Sequence, residues 1–306
     1  MTNAPAHTPY DGSAKPFTIG LKPLDLSTWI ELDHTYDAQM REKRRLFTSH
    51  LDDVFVEEPD TLQAQNEVFS LVRQHVCARF PERFVQTCKG IAIKGHPALD
   101  NDLIAKLPAL HAASLLVQED LILMRKGVDG WRLAAGALCF PSSWRLRDKF
   151  GRPLQDIHAP VPGFGRGTRN ADLIHRMFDN LKVDQPVQRL NWSLQPSHQL
   201  YYPLTEPQRD LRIGTRPSKF ADISAIARGF VRVERQTLRK LPQSGDILFT
   251  IRIYLDPLEF FQTHSEGVPL AAAFAEQLLA LDQAQLDYKG LTADRDRLVD
   301  FLQSSG

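Results

Sequence analysis

One histidine of this chain is set in a stiff frame of prolines and glycines. His158 follows Gly151 and Pro153 and precedes the run Ala-Pro-Val-Pro-Gly at residues 159–163. Because proline fixes φ and removes a backbone donor, the two following prolines are predicted to hold the chain in one extended path. Neutral imidazole is the commonest metal ligand, and ligation needs fixed geometry. A metal ligand therefore fits this position, as does a buried histidine bonded to a backbone carbonyl or a surface loop residue.

Three other side chains are weaker candidates for the same role. His175 lies on the helix predicted to follow, where it also fits a polar surface position. His198 lies in the segment Gln195-Pro-Ser-His. Cys139 could supply a thiolate to iron, but its place in a predicted strand also suits an apolar side chain.

A second group with chemical potential lies in a predicted strand near residue 230. Arg232, Glu234 and Gln236 alternate with Val231 and Val233, so they point to one face, with successive members about 7 Å apart. The arginine could donate to an anionic or oxygen-derived ligand. The glutamate could hold a cationic amine or move its proton. A solvent-facing strand that carries a weak ion pair fits the same residues.

The segment Gly163–Arg169 is glycine-rich and basic. Its backbone amides, with Arg166 and Arg169, could surround carboxylates or phosphates. The segment lacks the features of a dinucleotide fingerprint or a P-loop, since the strand-loop-helix context and the Lys-Ser/Thr pair are missing. A flexible loop before a helix is the alternative interpretation.

The elements that must position these residues change type along the chain. Residues 1–20, rich in Pro, Gly, Ser and Thr, are predicted to be disordered or extended, and residues 21–306 to form a single domain. The order of helices, antiparallel strands with a helical excursion, and helices again indicates an α+β fold. Periodicity predicts helices over 36–51, 61–79, 170–183, 269–281 and 292–303, and strands over 114–124, 131–140, 191–194, 230–237 and 247–254.

Composition excludes several classes of function. The 37 basic residues balance the 37 acidic ones, which argues against a whole-protein electrostatic footprint for nucleic acid or anionic membrane. The apolar stretches are too short to cross a bilayer and no targeting segment is recognisable, so a cytoplasmic protein is expected. Cys77, Cys88 and Cys139 form neither a Cys-x-x-Cys pair nor a Cys-x-x-Cys-His motif. They therefore predict no disulfide framework, no four-thiolate iron–sulfur cluster and no covalently attached haem.

Five motifs, in order along the chain, resemble the haem-dependent oxidative N-demethylase family over roughly residues 20–285. They are Phe140-Pro-Ser-Ser-Trp144, Lys149-x-Gly151-x-x-Leu154, Ile157-His158-x-Pro-Val-Pro-Gly163, Arg189-x-Asn-Trp192 and Arg232-x-Glu-x-Gln-x-Leu-x-x-Leu-Pro242. The resemblance implies a PAS-like fold, in which haem lies against a curved antiparallel sheet with additional N- and C-terminal helices.

The family resemblance also implies an activity and partners. The activity is oxidation of a secondary methylamine of the dimethylamine type by O2, monooxygenase-like, to the primary amine and formaldehyde. Electrons would come from NADPH through a partner reductase that carries FMN and a 2Fe–2S cluster. A tetrahydrofolate-binding partner would take up the formaldehyde. The cofactor of this chain would be non-covalent haem b.

The same resemblance suggests roles for individual residues. His158 would be the axial ligand of the haem iron, with His175 and His198 as alternatives. Arg232 would stabilise oxygen bound to that iron, and Glu234 would pair with the substrate ammonium or take its proton. Arg166 and Arg169 are the candidates for the haem propionates.

Two other functions fit the sequence. A haem PAS-type sensor of gases or ligands would share the fold without catalysis, although the 306 residues show no obvious output domain. The second of these functions is that of a binding module without haem, in which the arginine–glutamate pocket holds an organic ion.

Overall fold

The computed structural model describes residues 4–204 and 217–304 and contains two antiparallel sheets. Residues 1–3 of the predicted N-terminal segment lie outside the described part. So do residues 205–216 and 305–306 of the predicted domain. Within that part the strands are β1 (Lys22–Pro23), β2 (Phe55–Glu57), β3 (Phe84–Thr87), β4 (Gly90–Ile93), β5 (His96–Asp100), β6 (Asp120–Gly127), β7 (Gly130–Ala137), β8 (Val187–Gln195), β9 (Phe230–Lys240) and β10 (Ile247–Pro257).

The larger sheet has the order β1-β8-β9-β10-β6-β7-β2, and the smaller one β3-β4-β5. The helices that surround the sheets are α1 (Tyr36–Ser49), α2 (Leu51–Val54), α3 (Leu62–Arg79), α4 (Asn101–Lys106), α5 (Ala109–Ser114), α6 (Leu146–Lys149), α7 (Leu154–Ile157), α8 (Arg169–Asn180), α9 (Ile223–Ala227), α10 (Phe260–Thr263), α11 (Gly267–Leu279), α12 (Gln283–Lys289) and α13 (Arg295–Gln303). Short 3-10 turns cover Leu26–Thr28 and Pro59–Thr61. The α+β prediction is confirmed.

The two faces of the large sheet bury different groups of side chains. On one face, Val231 and Val233 of β9 pack in an apolar cluster with the C-terminal helices α11 to α13. On the other, Leu238 of β9 and Ile251 of β10 belong to a second cluster, which includes Ile174 and Phe178 of helix α8. Side chains alternate between the faces of a strand, so one strand serves both clusters.

The central hairpin β9–β10 holds this arrangement in register. Glu234 lies opposite Ile253, and Lys240 opposite Ile247. The chain reverses at residues 241–245, where Gly245 has φ 74°, in the left-handed region that glycine adopts without steric cost.

The predicted strand over 114–124 is partly wrong. Helix α5 ends at Ser114, residues 115–119 form neither helix nor strand, and the strand begins only at Asp120. Residues 115–119 are nevertheless buried, and a buried irregular segment shows the same apolar run as a buried strand. The small sheet over 84–100 and helix α12 were not predicted.

The predicted extended path after His158 is also wrong. His158 instead caps the short helix α7, and its N–H donates to Leu154 O at 2.9 Å. Two turns follow, in which Val161 N–H donates to His158 O at 2.9 Å and Phe164 N–H to Val161 O at 3.0 Å. Pro162 is accommodated because it is the first central residue of the second turn, a position that φ near −65° suits.

Residues 4–20 contain no helix or strand but are anchored in the fold. Tyr10 is fully buried, with ring centroids 4.9 Å from Phe274 and 5.6 Å from Phe261. Phe17 lies with its ring centroid 5.7 Å from that of Tyr288. In the described residues, no helix has both the length and the apolar character needed to span a membrane.

Helix α8 is started by a side-chain cap that can be tested. The Thr168 hydroxyl accepts the Ala171 N–H at 3.3 Å and so satisfies one of the free donors of the first turn. We expect Thr168→Ala to lower the free energy of unfolding by about 1 kcal/mol, measured by urea denaturation. Thr168→Ser keeps the hydroxyl and serves as the control; equal losses in both variants would contradict the capping role.

Candidate functional site

A cavity of about 970 Å³ lies between one face of the large sheet and the segment that joins β7 to β8. Its volume lies within the range of about 300–1,000 Å³ typical of pockets for small molecules and cofactors. The apolar part of its wall comes from both sides: Ile122, Met124, Leu133, Leu138, Phe249 and Ile251 from the sheet and adjoining residues, and Leu154, Ile157, Val161, Phe164, Ile174, Met177 and Phe178 from the connecting segment.

The floor of the cavity carries a row of polar side chains on β8 and β9. Asn191 lies opposite Glu234, and Arg189 opposite Gln236, and all four line the cavity. The predicted common face of Glu234 and Gln236 is therefore present. Gln236 Nε2 donates to Glu234 Oε2 at 2.9 Å, which fixes one oxygen of the carboxylate.

His158 lies in the opposite wall of the cavity. Its ring makes no hydrogen bond to any residue of the described chain, although its backbone is held on both sides. Burial, with Arg189 and Lys149 nearby, lowers the pKa of His158 to about 4. The imidazole is therefore neutral near pH 7 and keeps a nitrogen lone pair, as metal ligation requires. Lys149 supports the segment by donating to Ile157 O at 3.3 Å.

The alternative ligand candidates lie elsewhere. His175 is 52% exposed with its ring 3.4 Å from Asp179, and His198 is exposed beside Phe230. Neither lines the cavity, so among the described residues His158 is its one histidine. Cys139 is buried outside the lining, and burial raises the pKa of its thiol, which disfavours a thiolate.

Arg232 is not among the residues that line the cavity. Its fully buried guanidinium donates to Phe140 O, and to Gln195 Oε1 and Leu200 O at 3.4 Å each. Its Nε lies 3.9 Å from Glu234 Oε1. The arginine therefore connects Glu234 to the chain segment that begins at Phe140, and its predicted contact with a bound oxygen stays a prediction.

Arg166 and Arg169 lie on the surface. Arg166 makes a bidentate ion pair with Asp156, at 2.7 and 2.9 Å, and both arginines are exposed and absent from the cavity wall. Their predicted contact with the propionates stays a prediction. Three other cations line the cavity near the outer edge of β8: Arg189, Lys219 and Lys289.

These three cations could not be assigned to the site from sequence. Arg189 belongs to the motif Arg189-x-Asn-Trp192, but the motif suggested no chemical role for it. Lys219 and Lys289 come from segments far along the chain. Helix α12 ends at Lys289 because Gly290, with φ 64°, adopts the left-handed conformation of a helix cap. That cap places Tyr288, Lys289 and Gly290 along the cavity.

The motifs that carry the family resemblance converge on this one cavity. The lining includes residues of all five: Phe140, Ser142, Ser143 and Trp144; Lys149 and Leu154; Ile157, His158, Pro160, Val161 and Pro162; Arg189, Asn191 and Trp192; and Glu234, Gln236 and Leu238. Residues separated by about a hundred positions thus share one site, which is what a common ligand would require.

Comparison with known families agrees with this convergence. The family described as haem-dependent oxidative N-demethylase, alpha subunit-like, matches residues 20–299. The match covers most of the sequence, and it names a haem-dependent oxidative enzyme. The resemblance read from the five motifs is thereby confirmed, and the chain belongs to the haem-dependent oxidative N-demethylase, alpha subunit-like family.

Proposed function

We propose that this chain binds haem b non-covalently through His158 and oxidatively demethylates a secondary methylamine of the dimethylamine type. The observation that carries the proposal is the position of His158. It is a neutral imidazole without a hydrogen-bond partner among the described residues, set in the wall of a large, mostly apolar cavity. The family match supplies the class of cofactor and reaction.

The donor set fits haem. No group of three or more His, Cys, Asp or Glu side chains suited to a metal ion occurs in the described residues, 4–204 and 217–304. Haem iron, however, takes as little as one histidine from the protein. The apolar side chains of the sheet and of the connecting segment suit the two faces of a flat macrocycle. The large antiparallel sheet supports a PAS-like placement of haem against it.

When bound, haem supplies the oxidative chemistry, using O2 and external electrons. The chain supplies orientation, shielding from water and a place for a proton. Glu234 accepts a hydrogen bond from the N–H of the substrate ammonium and takes its proton. Its Oε1 can do so because Gln236 donates to the other carboxylate oxygen, Oε2. Arg232, the next residue on the same face of β9, positions this carboxylate, and its buried charge acts through a low dielectric. The apolar walls accept the methyl groups.

Partners follow from the same proposal. The family name designates an α subunit, which supports electron delivery by a separate reductase chain with FMN, a 2Fe–2S cluster and NADPH. Formaldehyde and the primary amine are the products, and a tetrahydrofolate-binding chain would consume the formaldehyde. Such a soluble, monooxygenase-like assembly is proposed to act in the cytoplasm.

The absorption spectrum tests the proposal directly. We expect purified protein supplied with haem to show a Soret band that shifts when dimethylamine is added, and formaldehyde to form when a chemical reductant and O2 are present. If the haem-loaded protein showed no Soret shift with amines and formed no formaldehyde, it would be a sensor or an enzyme that acts on a different substrate. Folded protein without any Soret band would refute the haem assignment.

A further inference from the structure

We infer that the edge of the cavity lined by Arg189, Lys219 and Lys289, here called the cationic end, binds the carboxylates of the flat apolar ligand. The inference rests on the proposed function in one respect, that the ligand is haem and the carboxylates are its propionates. It assigns them to side chains different from the surface arginines Arg166 and Arg169.

Lys289 is held in place and keeps donors available. Its side chain is buried, its ammonium donates to Trp192 O at 2.6 Å, and it lies 4.0 Å from the Trp192 ring centroid. An ammonium has three protons, and no second hydrogen bond of this one occurs among the described residues. The remaining donors can therefore serve a ligand in the cavity that Lys289 lines.

Arg189 carries a second unused donor. Its Nε is buried and has no hydrogen-bond partner among the described residues. A buried donor left unpaired costs free energy, and a charged one costs more. A carboxylate at this place would remove that cost, and guanidinium geometry matches a carboxylate.

The positive charges of the cationic end lie close together. Lys219 Nζ donates to Leu194 O at 3.0 Å and to Lys289 O at 2.7 Å, which brings it beside Lys289. Glu234 is an acidic neighbour of both Lys289 and Arg189. Burial, reinforced by Lys219 and Arg189 and opposed by Glu234, lowers the pKa of Lys289 to about 7. An anionic ligand would therefore relieve repulsion as well as satisfy donors.

The first test changes the ligand and leaves the protein intact. We expect the wild-type chain to bind haem about 10- to 100-fold more tightly than haem dimethyl ester, because the ester removes the charge-assisted hydrogen bonds. Lys289→Met should reduce that preference for haem, whereas Lys182→Met, at an exposed lysine outside the cavity, should preserve it. The readout is the dissociation constant from Soret titration.

The second readout is proton uptake. Pairing with a carboxylate raises the pKa of Lys289 from about 7, so haem binding near pH 8 should take up as much as about one proton in the wild type. Lys289→Met should lose most of this uptake, measured by pH change in weakly buffered solution. Haem affinity should correspondingly fall as the pH rises above 7.

The outcomes separate this inference from the proposed function. Equal affinities for haem and its dimethyl ester would refute carboxylate binding at the cationic end, while haem binding itself would still be supported. Loss of the preference in the double variant Arg166→Gln and Arg169→Gln, with Lys289→Met unaffected, would assign the propionates to the surface arginines instead. Absence of haem binding by the wild-type chain would refute both.

Discussion

Replacing His158 with alanine is expected to abolish the Soret band of the reconstituted protein. The imidazole is the one histidine side chain that lines the cavity among the described residues, and its ring makes no bond to the protein that ligation would have to break. Loss of a group that only supports a metal ligand commonly lowers the metal affinity by about 10- to 100-fold. Loss of the ligand itself should therefore lower the haem affinity by more than that. Soret titration measures the loss.

The controls for this prediction come from the other candidate histidines. His175→Ala and His198→Ala remove exposed rings outside the cavity and should retain the band. Added imidazole should restore haem binding to His158→Ala, since the deletion leaves room for a free ligand. If His158→Ala showed a normal spectrum and one of the two controls lost haem, the histidine replaced in that control would be the axial ligand.

Glu234→Gln is expected to retain haem and lower the rate of amine oxidation by about 10²- to 10⁴-fold, the usual contribution of a positioned acid or base. The amide is nearly isosteric but cannot take a proton from the substrate ammonium. Its charge is also lost, so the Soret shift caused by dimethylamine should require a higher amine concentration. Formaldehyde release under single-turnover conditions measures the rate separately from binding.

The matched control is Glu266→Gln, which makes the same change at an exposed position outside the cavity. Glu234→Asp keeps the charge on a shorter side chain and should recover part of the activity. If Glu234→Gln turned over at the wild-type rate, the carboxylate would be a structural member of the floor and the proton would leave by another route.

Strong periodicity made most of the fold predictable. The stripes of α1, α3 and α8 reflect burial on one face of each helix. The residues of β9 and β10 also alternate between apolar and polar types, although both faces of these strands are largely buried. The small sheet over 84–100 was not predictable in the same way, because Val85 and most of its neighbours are exposed and leave little pattern. Helix α5 was not predictable for the opposite reason, since every side chain in it is buried and no apolar stripe results.

The site was predictable only where its residues share a segment. His158 could be recognised from its frame, and Glu234 and Gln236 from strand alternation. Arg232 follows the same alternation, yet its guanidinium turns to Phe140 O, a contact fixed by tertiary packing. Lys219 and Lys289 reach the cavity through the ends of distant segments, which no local pattern records.

The outer edge of β8 also bears on how the protein avoids self-association. β1 pairs with β8 only at Val187 and Gln188, so the rest of that edge has no neighbouring strand among residues 4–204 and 217–304. The carbonyls of Trp192 and Leu194 are nevertheless occupied by lysine ammonium groups. An open edge is a template for pairing with another chain, and inward-pointing lysines are a known defence against aggregation. The same amines that make one end of the cavity cationic thus also deny that edge to a second molecule.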